Sequence, residues 1–419
     1  MEAYGFTDPL QYPCSCVRPI TAALMAKNSD LVNDLIRRGV KIKNPLDGYS
    51  PIPRSRMTPL AAAIRSRYPE MVNFIIREGA NLGDPVAIKV AISDQELHWA
   101  RTILFNHLKD TKSESMLSYA LAQALKFYYL NNFDIIRMLL NFGADPNTLL
   151  NYGTDLERRL YTHFWEKESA IDRAVQMYNG LQLLKILLEA GAKADTGVLF
   201  GAQYSPVQSA VRRKDQAIAR ILLDYGSNPD SVSMESYPSG DHRLPLQIAV
   251  TNQDVEMIRV LFQYRADPNA ACVGGDWTEF DEGSYFLPRT PLQEASMNGN
   301  KEIVEILLEH GADVNFPPVL GNGATALQYA SMHGFLGIAH LLLEHEADVN
   351  APPAKIDGRM ALEGAAENGR LDMVQLLLNA GANVFGDGQA QYENAIRRAS
   401  GNGHHALRRM LEKWHSDRE

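Results

Sequence analysis

The chain has 419 residues, 45% of them hydrophobic and 22% charged. That composition can bury a core and excludes an intrinsically disordered chain; at this length it ordinarily means two or three compact domains. A formal net charge of −9 supplies no field that would gather a phosphate backbone or an anionic bilayer, which argues against general nucleic-acid and membrane-surface binding.

The N-terminal stretch MEAYGFTDPLQ has neither a basic nor an apolar segment, so it does not read as a secretory leader. No apolar run approaches the ~18–20 residues that span a bilayer. Cys14, Cys16 and Cys272 are too few for a disulfide framework and fit a reducing compartment. Cys14-Ser15-Cys16 lacks the spacing and the second pair of a zinc site. The expectation is a soluble protein of the cytoplasm or nucleus, without metal or cofactor.

Farther along, one phrase returns: an apolar run, then Gly-Ala, then Asp or Asn. It begins weakly as LIRRGVK at 35–41 and continues as IIREGAN at 75–81, LLNFGAD at 139–145, LLEAGAK at 187–193 and LLDYGSN at 222–228. LFQYRAD at 261–267, LLEHGAD at 307–313, LLEHEAD at 342–348 and LLNAGAN at 377–383 follow. Gly311, Glu346 and Gly381 are 35 residues apart, and wider gaps read as that unit plus an insertion. The gap from Gly79 to Gly143 reads as two units, because 85–108 holds a degenerate copy without its glycine.

A second phrase precedes each anchor: RPITAAL at 18–24, TPLAAAI at 58–64, SPVQSAV at 205–211 and LPLQIAV at 244–250, then TPLQEAS at 290–296, TALQYAS at 325–331 and MALEGAA at 360–366. With both phrases in register over roughly 17–414, the chain resembles the ankyrin-repeat family. The histidine of that family's T-P-L-H-x-A phrase is missing; Gln293, Gln328 and Glu363 stand in its place. The fingers NFPPVLGNGATAL and NAPPAKIDGRMAL, stiffened by Pro317-Pro318 and Pro352-Pro353, resemble the ankyrin arrays of filamentous fungi.

The resemblance implies an all-α solenoid of about eleven helix pairs. Thr58 and Thr290 are expected to cap first helices, with Pro59 and Pro291 at the first helical position and Ala61, Ala62 and Ala63 small enough for close stacking. Gly299, Gly334 and Gly369 would end first helices in the left-handed region, and Gly311 and Gly381 second ones. Ile303, Ile306, Leu307, Val374, Leu377 and Leu378 would face the core. Arg265 and Glu346 replace anchor glycines, so irregular finger starts costing ~1 kcal/mol each are expected there. The organisation is an N-terminal extension, 1–16; the array, 17–388; and a capping unit with tail, 389–419. In the cap Leu407, Leu411 and Trp414 would point inward, with Arg397, Arg398, Arg408, Arg409 and Lys413 solvated. His310, His333, His345 and the pair His404-His405 read as structural or solvent-facing.

Four insertions, 44–56, 148–168, 230–243 and 270–288, all fall at the finger position. Loops on a rigid scaffold are where binding residues concentrate. Tyr49, Arg54, Arg56, Trp165, Asp276, Trp277, Phe280, Tyr285 and Phe286 are the candidate partner-binding residues, because Trp, Tyr and Arg dominate interface energetics. The last insertion has four acids and no Lys or Arg, which favours a basic protein or peptide. The function read here is a non-catalytic, monomeric scaffold that binds a protein or peptide on a concave finger face. The alternative is a small-molecule enzyme or receptor, such as a cyclase or isomerase. Its pocket would lie between 148–168 and 270–288, with His163, Glu166, Asp276 and Asp281 as acid–base groups.

Overall fold

The computed structural model describes residues 19–40, 42, 57–110, 114–126, 133–151, 167–195, 204–232, 243–270, 289–318 and 323–418. Two compact units form: Met1–Ala174 with Gln182–Lys193, and Val175–Leu181 with Ala194–Glu419. The first carries the pairs α1 Pro19–Met25 and α2 Ser29–Arg37, α3 Pro59–Arg65 and α4 Pro69–Arg77, α5 Pro85–Ser93 and α6 Leu97–Asp110, and α7 Glu114–Lys126 and α8 Phe133–Asn141. The division between units runs through α9 Ala170–Gln176 and α10 Gly180–Glu189. The second unit continues with α11 Pro206–Arg212 and α12 Gln216–Asp224, α13 Pro245–Thr251 and α14 Val255–Gln263, and α15 Pro291–Asn298 and α16 Lys301–Glu309. It closes with α17 Ala326–His333 and α18 Leu336–Glu344, α19 Ala361–Glu367 and α20 Leu371–Asn379, and α21 Gln389–Gly401 and α22 His405–Ser416.

Among the described residues these make eleven helix pairs, as the repeat count implied. The glycine-free copy at 85–108 is α5 and α6, where α6 runs on to Asp110 and α7 begins at Glu114. First helices stack in a row, α1 to α3 to α5 to α7 in one unit and α11 through α21 in the other. No pair can bury its apolar face alone, so each neighbour supplies the cover. Ala61, Ala62 and Ala63 are fully buried at such a contact, and Ile303, Ile306, Leu307, Val374, Leu377 and Leu378 are buried as expected. Each large aliphatic side chain contributes about 1.5–3 kcal/mol.

First helices are short because both ends are specified. Thr290 Oγ accepts the Gln293 N–H at 3.3 Å while Gln293 Oε1 accepts the Thr290 N–H at 3.0 Å, with Pro291 at the first helical position. Ser205 with Gln208 and Thr325 with Gln328 repeat this box. In the first unit, Thr58 caps α3 and donates its hydroxyl to the buried carboxylate of Asp84, itself the cap of α5. Burial pushes the Asp84 carboxyl up, against the Thr58 bond and the backbone N–H groups of Val86 and Ala87.

The glutamine in the histidine's place has a second role. Gln328 Nε2 donates to the carbonyls of Ala351 at 2.9 Å and Pro352 at 3.2 Å, in the next repeat's finger. Gln293 reaches Phe316 and Pro317 in the same way, and Gln208 reaches Arg243. One buried amide therefore caps its own helix and satisfies carbonyls of its neighbour.

The structure corrects the expectation of irregular finger starts. Arg265 and Glu346 both adopt φ of 65°, yet the turn is unchanged. Glu346 N–H donates to Leu343 and Ala347 N–H to Leu342, matching Gly311 to Leu308 and Ala312 to Leu307. The strain stays in one dihedral. A further departure is a two-stranded antiparallel ladder, β1 Leu149–Asn151 with β2 Lys167–Ser169, in register Leu149 to Ser169. It pins both ends of one insertion, so the loop proper is shorter than 148–168.

The left-handed glycines differ in surroundings. A Cβ on Gly311 would meet nothing within 4 Å, whereas one on Gly299 would lie 2.5 Å from the ring of Phe335, which the next repeat packs over it. Gly311→Ala should therefore cost about 1 kcal/mol from φ alone. Gly299→Ala should cost about 1–3 kcal/mol more, because the ring must shift. Urea denaturation of the two variants compares them, and equal losses would refute the steric account. By the same measurement Glu346→Gly should gain up to about 1 kcal/mol, and no gain would remove the strain assigned to Glu346.

Candidate functional site

Among the described residues, four fingers start from an Asp-x-Asn turn, at 145–147, 267–269, 313–315 and 348–350, that links neighbours. Asn315 N–H donates to Asp313 Oδ1 at 2.9 Å, which frees the Asn315 side chain to point onward. Its Oδ1 accepts the Asp348 N–H at 2.7 Å and its Nδ2 donates to the Glu346 carbonyl at 3.0 Å. Asn269 makes the same pair of bonds to Asp313 and Gly311, and Asn350 to Asn383 and Gly381. This amide ladder fixes the base from which the fingers project. It ends at Phe385, which packs against His415.

Two rungs hold a carboxylate instead. Asp230 accepts the Asp267 N–H, and Asp195 accepts the Asn228 N–H. Neither acid can donate to the carbonyl that an Asn would reach, and the second oxygen of Asp195 is buried without a partner. Burial raises the Asp230 carboxyl above the ordinary range; the Asp267 N–H pulls it down, and the Asp267 charge pushes it up.

Beside the finger bases, the residue immediately before a first-helix cap lies along that helix. Arg243 donates to Thr251 Oγ at 3.1 Å, eight residues on, and Arg359 to Glu367 at 2.6 Å at the same separation. At the corresponding places Arg212 sits over the Tyr204 ring at 4.2 Å. Arg289 donates to Glu294 and to the Tyr329 hydroxyl, both at 3.0 Å. Burial pulls the Arg289 guanidinium down, but Tyr329 and Glu294 more than offset it, leaving its pKa raised. Glu367, bonded to Arg359 and also to Arg398, is held below the usual carboxylate range by those two guanidinia, against its burial. The signal for this row is the phrase Arg-x-Pro/Ala-Leu-Gln/Glu at 243–247, 289–293 and 359–363. It is legible in the chain, outside the insertions that hold the candidate partner-binding residues.

The cap differs in detail from expectation. Leu407 and Leu411 are buried, while Trp414 is half-buried beneath Arg418 at 3.4 Å. Arg397, Arg408, Arg409 and Lys413 are exposed, but Arg398 is half-buried and bonds Glu367 at 3.3 Å. His404 is also half-buried, with Nε2 3.2 Å from the Glu367 carbonyl. His310 is exposed, stacked on Phe262 at 4.1 Å.

The candidate partner-binding residues Tyr49, Arg54, Arg56, Trp165, Asp276, Trp277, Phe280, Tyr285 and Phe286 lie outside the described residues, as do His163, Glu166 and Asp281. Their attachments are described. One insertion leaves after Ile42 and returns before capped α3; another is pinned by β1 and β2. A third leaves after 232 and returns at Arg243, and a fourth leaves after Ala270 and returns at Arg289. Among the described residues no helix is long and apolar enough to cross a membrane.

Comparison with known proteins agrees with this architecture. The profile of ankyrin repeats matches residues 171–272, 278–353 and 317–387, just over half of the chain. The chain belongs to the ankyrin-repeat family. A fowlpox virus (strain NVSL) protein named as an ankyrin repeat protein is 26% identical over 115 residues, covering 27% of this chain and 22% of the viral protein's length.

An Asn at 230 would restore the missing donor, toward the Arg265 carbonyl, so Asp230→Asn should stabilise the fold by about 1 kcal/mol at neutral pH. The folded-state carboxyl is raised, so its penalty is absent below the ordinary carboxylate pKa and complete above the folded value. The gain should therefore be larger at pH 7 than at pH 4. Thermal melts at both values read it, and a gain independent of pH would sink the electrostatic part.

Proposed function

We propose that the chain is a non-catalytic scaffold that binds a protein or peptide along its finger edge and first-helix face. Ankyrin repeats generally serve protein–protein interaction, which supports the class of function. The observation that carries the reading to this edge is where the insertions attach. The segments inserted at 44–56, 230–243 and 270–288 run from a finger start to a first-helix cap, and the 148–168 segment is clamped there by a strand ladder. Each insertion is thus rooted at the finger position of its repeat, where loops on a rigid scaffold concentrate binding residues.

The acidic insertion 270–288, with Asp276, Glu279, Asp281 and Glu282 beside Trp277, Phe280, Tyr285 and Phe286, favours a basic segment on the partner through faster encounter and aromatic anchoring. The protein acts as a monomer in the cytoplasm or nucleus, and its Asn-x-Pro-Pro fingers ally it with fungal arrays.

The test is affinity purification with mass spectrometry from the native cell, using the full chain, the Trp277→Ala/Phe286→Ala variant and a chain with 271–288 replaced by a short Gly-Ser linker. The expected outcome is loss of the captured partner with the melting temperature nearly unchanged. A large fall in melting temperature would instead place these aromatics in the packing of their own loop.

A further inference from the structure

The acidic insertion is not the second unit's only charged feature. The described first-helix face carries the opposite sign. Arg212, Arg243, Arg289, Arg359, Arg397 and Arg398 recur along α11, α13, α15, α19 and α21, whose stacking is continuous through α17. Tyr329 of α17 bridges the one repeat without such an arginine by accepting from Arg289.

Among the described residues, three carboxylates form ion pairs with these guanidinia, and two lie deeper than their partners. Glu294 is 15% exposed where Arg289 is 26%, and Glu363 is 6% exposed where Arg398 is 29%. The third, Glu367, is engaged by two arginines at once. At Arg289 and Arg398 the guanidinium therefore lies outside Glu294 and Glu363, while Glu367 is level with its two partners. A guanidinium offers five donors in a planar fork, more than these carboxylates occupy at Arg289 and Arg398. At the end of the row, Glu367, Asn394, Arg397, Arg398, Gly401 and Asn402 line a recess of about 350 Å³. Asn394 holds the two sides together, donating to Glu363 at 2.9 Å and accepting from Arg397 at 3.0 Å.

We infer that this face docks an acidic peptide segment, its carboxylates spaced along the arginine row and one of them seated in the recess beside Arg397 and Arg398. The inference rests on the scaffold reading above and extends it. The partner then presents an acidic stretch to the helices in addition to any basic stretch near the insertion. Paired guanidinia suit carboxylates through bidentate bonds. The whole chain carries a net charge of −9, so an acidic probe gains attraction only from local basic surface.

The experiment measures fluorescence anisotropy of labelled oligo-glutamate, oligo-glutamine and oligo-lysine peptides on the full chain, across ionic strength. The variants are Arg212→Glu/Arg397→Glu and its neutral counterpart Arg212→Gln/Arg397→Gln, with melting curves as the folding control. Both sites are exposed, and the Gln pair keeps the comparison usable should charge reversal disturb the fold. Oligo-glutamate should bind, weaken as salt rises, and lose at least about tenfold in affinity in the charge-reversed variant. It should bind normally to the chain with 271–288 replaced. Absence of oligo-glutamate binding, equal binding of oligo-glutamine, or indifference to both variants overturns the inference. Insertion-dependent capture of the native partner would still stand in that case. Loss of that capture with oligo-glutamate binding intact would instead discard the finger-edge reading and keep the basic face.

Discussion

The bond from one repeat's side-chain amide to the next repeat's backbone is what the structure depends on. An array of short helices has many helix ends for its length, and each end leaves backbone donors and acceptors without intrahelical partners. The fingers add more, since they make few regular backbone pairs of their own. Buried groups of this kind cost about 1–3 kcal/mol each when unmet. Gln208, Gln293 and Gln328 meet them at one end of each unit, and Asn269, Asn315 and Asn350 at the other. Apolar burial holds neighbours together without choosing a register. The amides choose it, because an acceptor displaced by one residue would not be reached.

That rigidity is what allows charge to be placed on the first-helix face. An arginine just before a cap has its backbone fixed by the cap and its side chain laid along the helix. Its head group therefore falls beside residue i+5 or i+8, as Arg289 does on Glu294 and Arg359 on Glu367. An ion pair of this type that still reaches solvent adds only about 0–1 kcal/mol to stability. Its larger effect is on the field: at Arg289 and Arg398 the positive charge lies outermost, in a chain that is acidic overall.

The repeat, its length of 35, the caps and the core face could be read from the chain, because each is a local instruction. Thr290-Pro291 specifies a helix start whatever lies around it, and Gly311 a left-handed stop. The double role of Gln293 could not be read, since its second acceptors are carbonyls in the next finger. Nor could the regular turn at Arg265 and Glu346, where the hydrogen bonds of the anchor absorb a residue with a Cβ and leave only the dihedral strained. The insertions were visible as excess spacing, and their attachment points follow from the caps. Residues such as Trp277 lie outside the described part of the chain.

The two carboxylate rungs, Asp195 and Asp230, have a mechanical meaning. From Asn269 onward the ladder joins neighbours by a donor and an acceptor on one side chain, so separating two repeats breaks both together. At these rungs only the acceptor is present. Drawn out by its ends, the second unit would part at those seams before the doubly tied joints from Asn269 onward. A stretched molecule would then yield from its Asp195 side, with the C-terminal repeats still stacked.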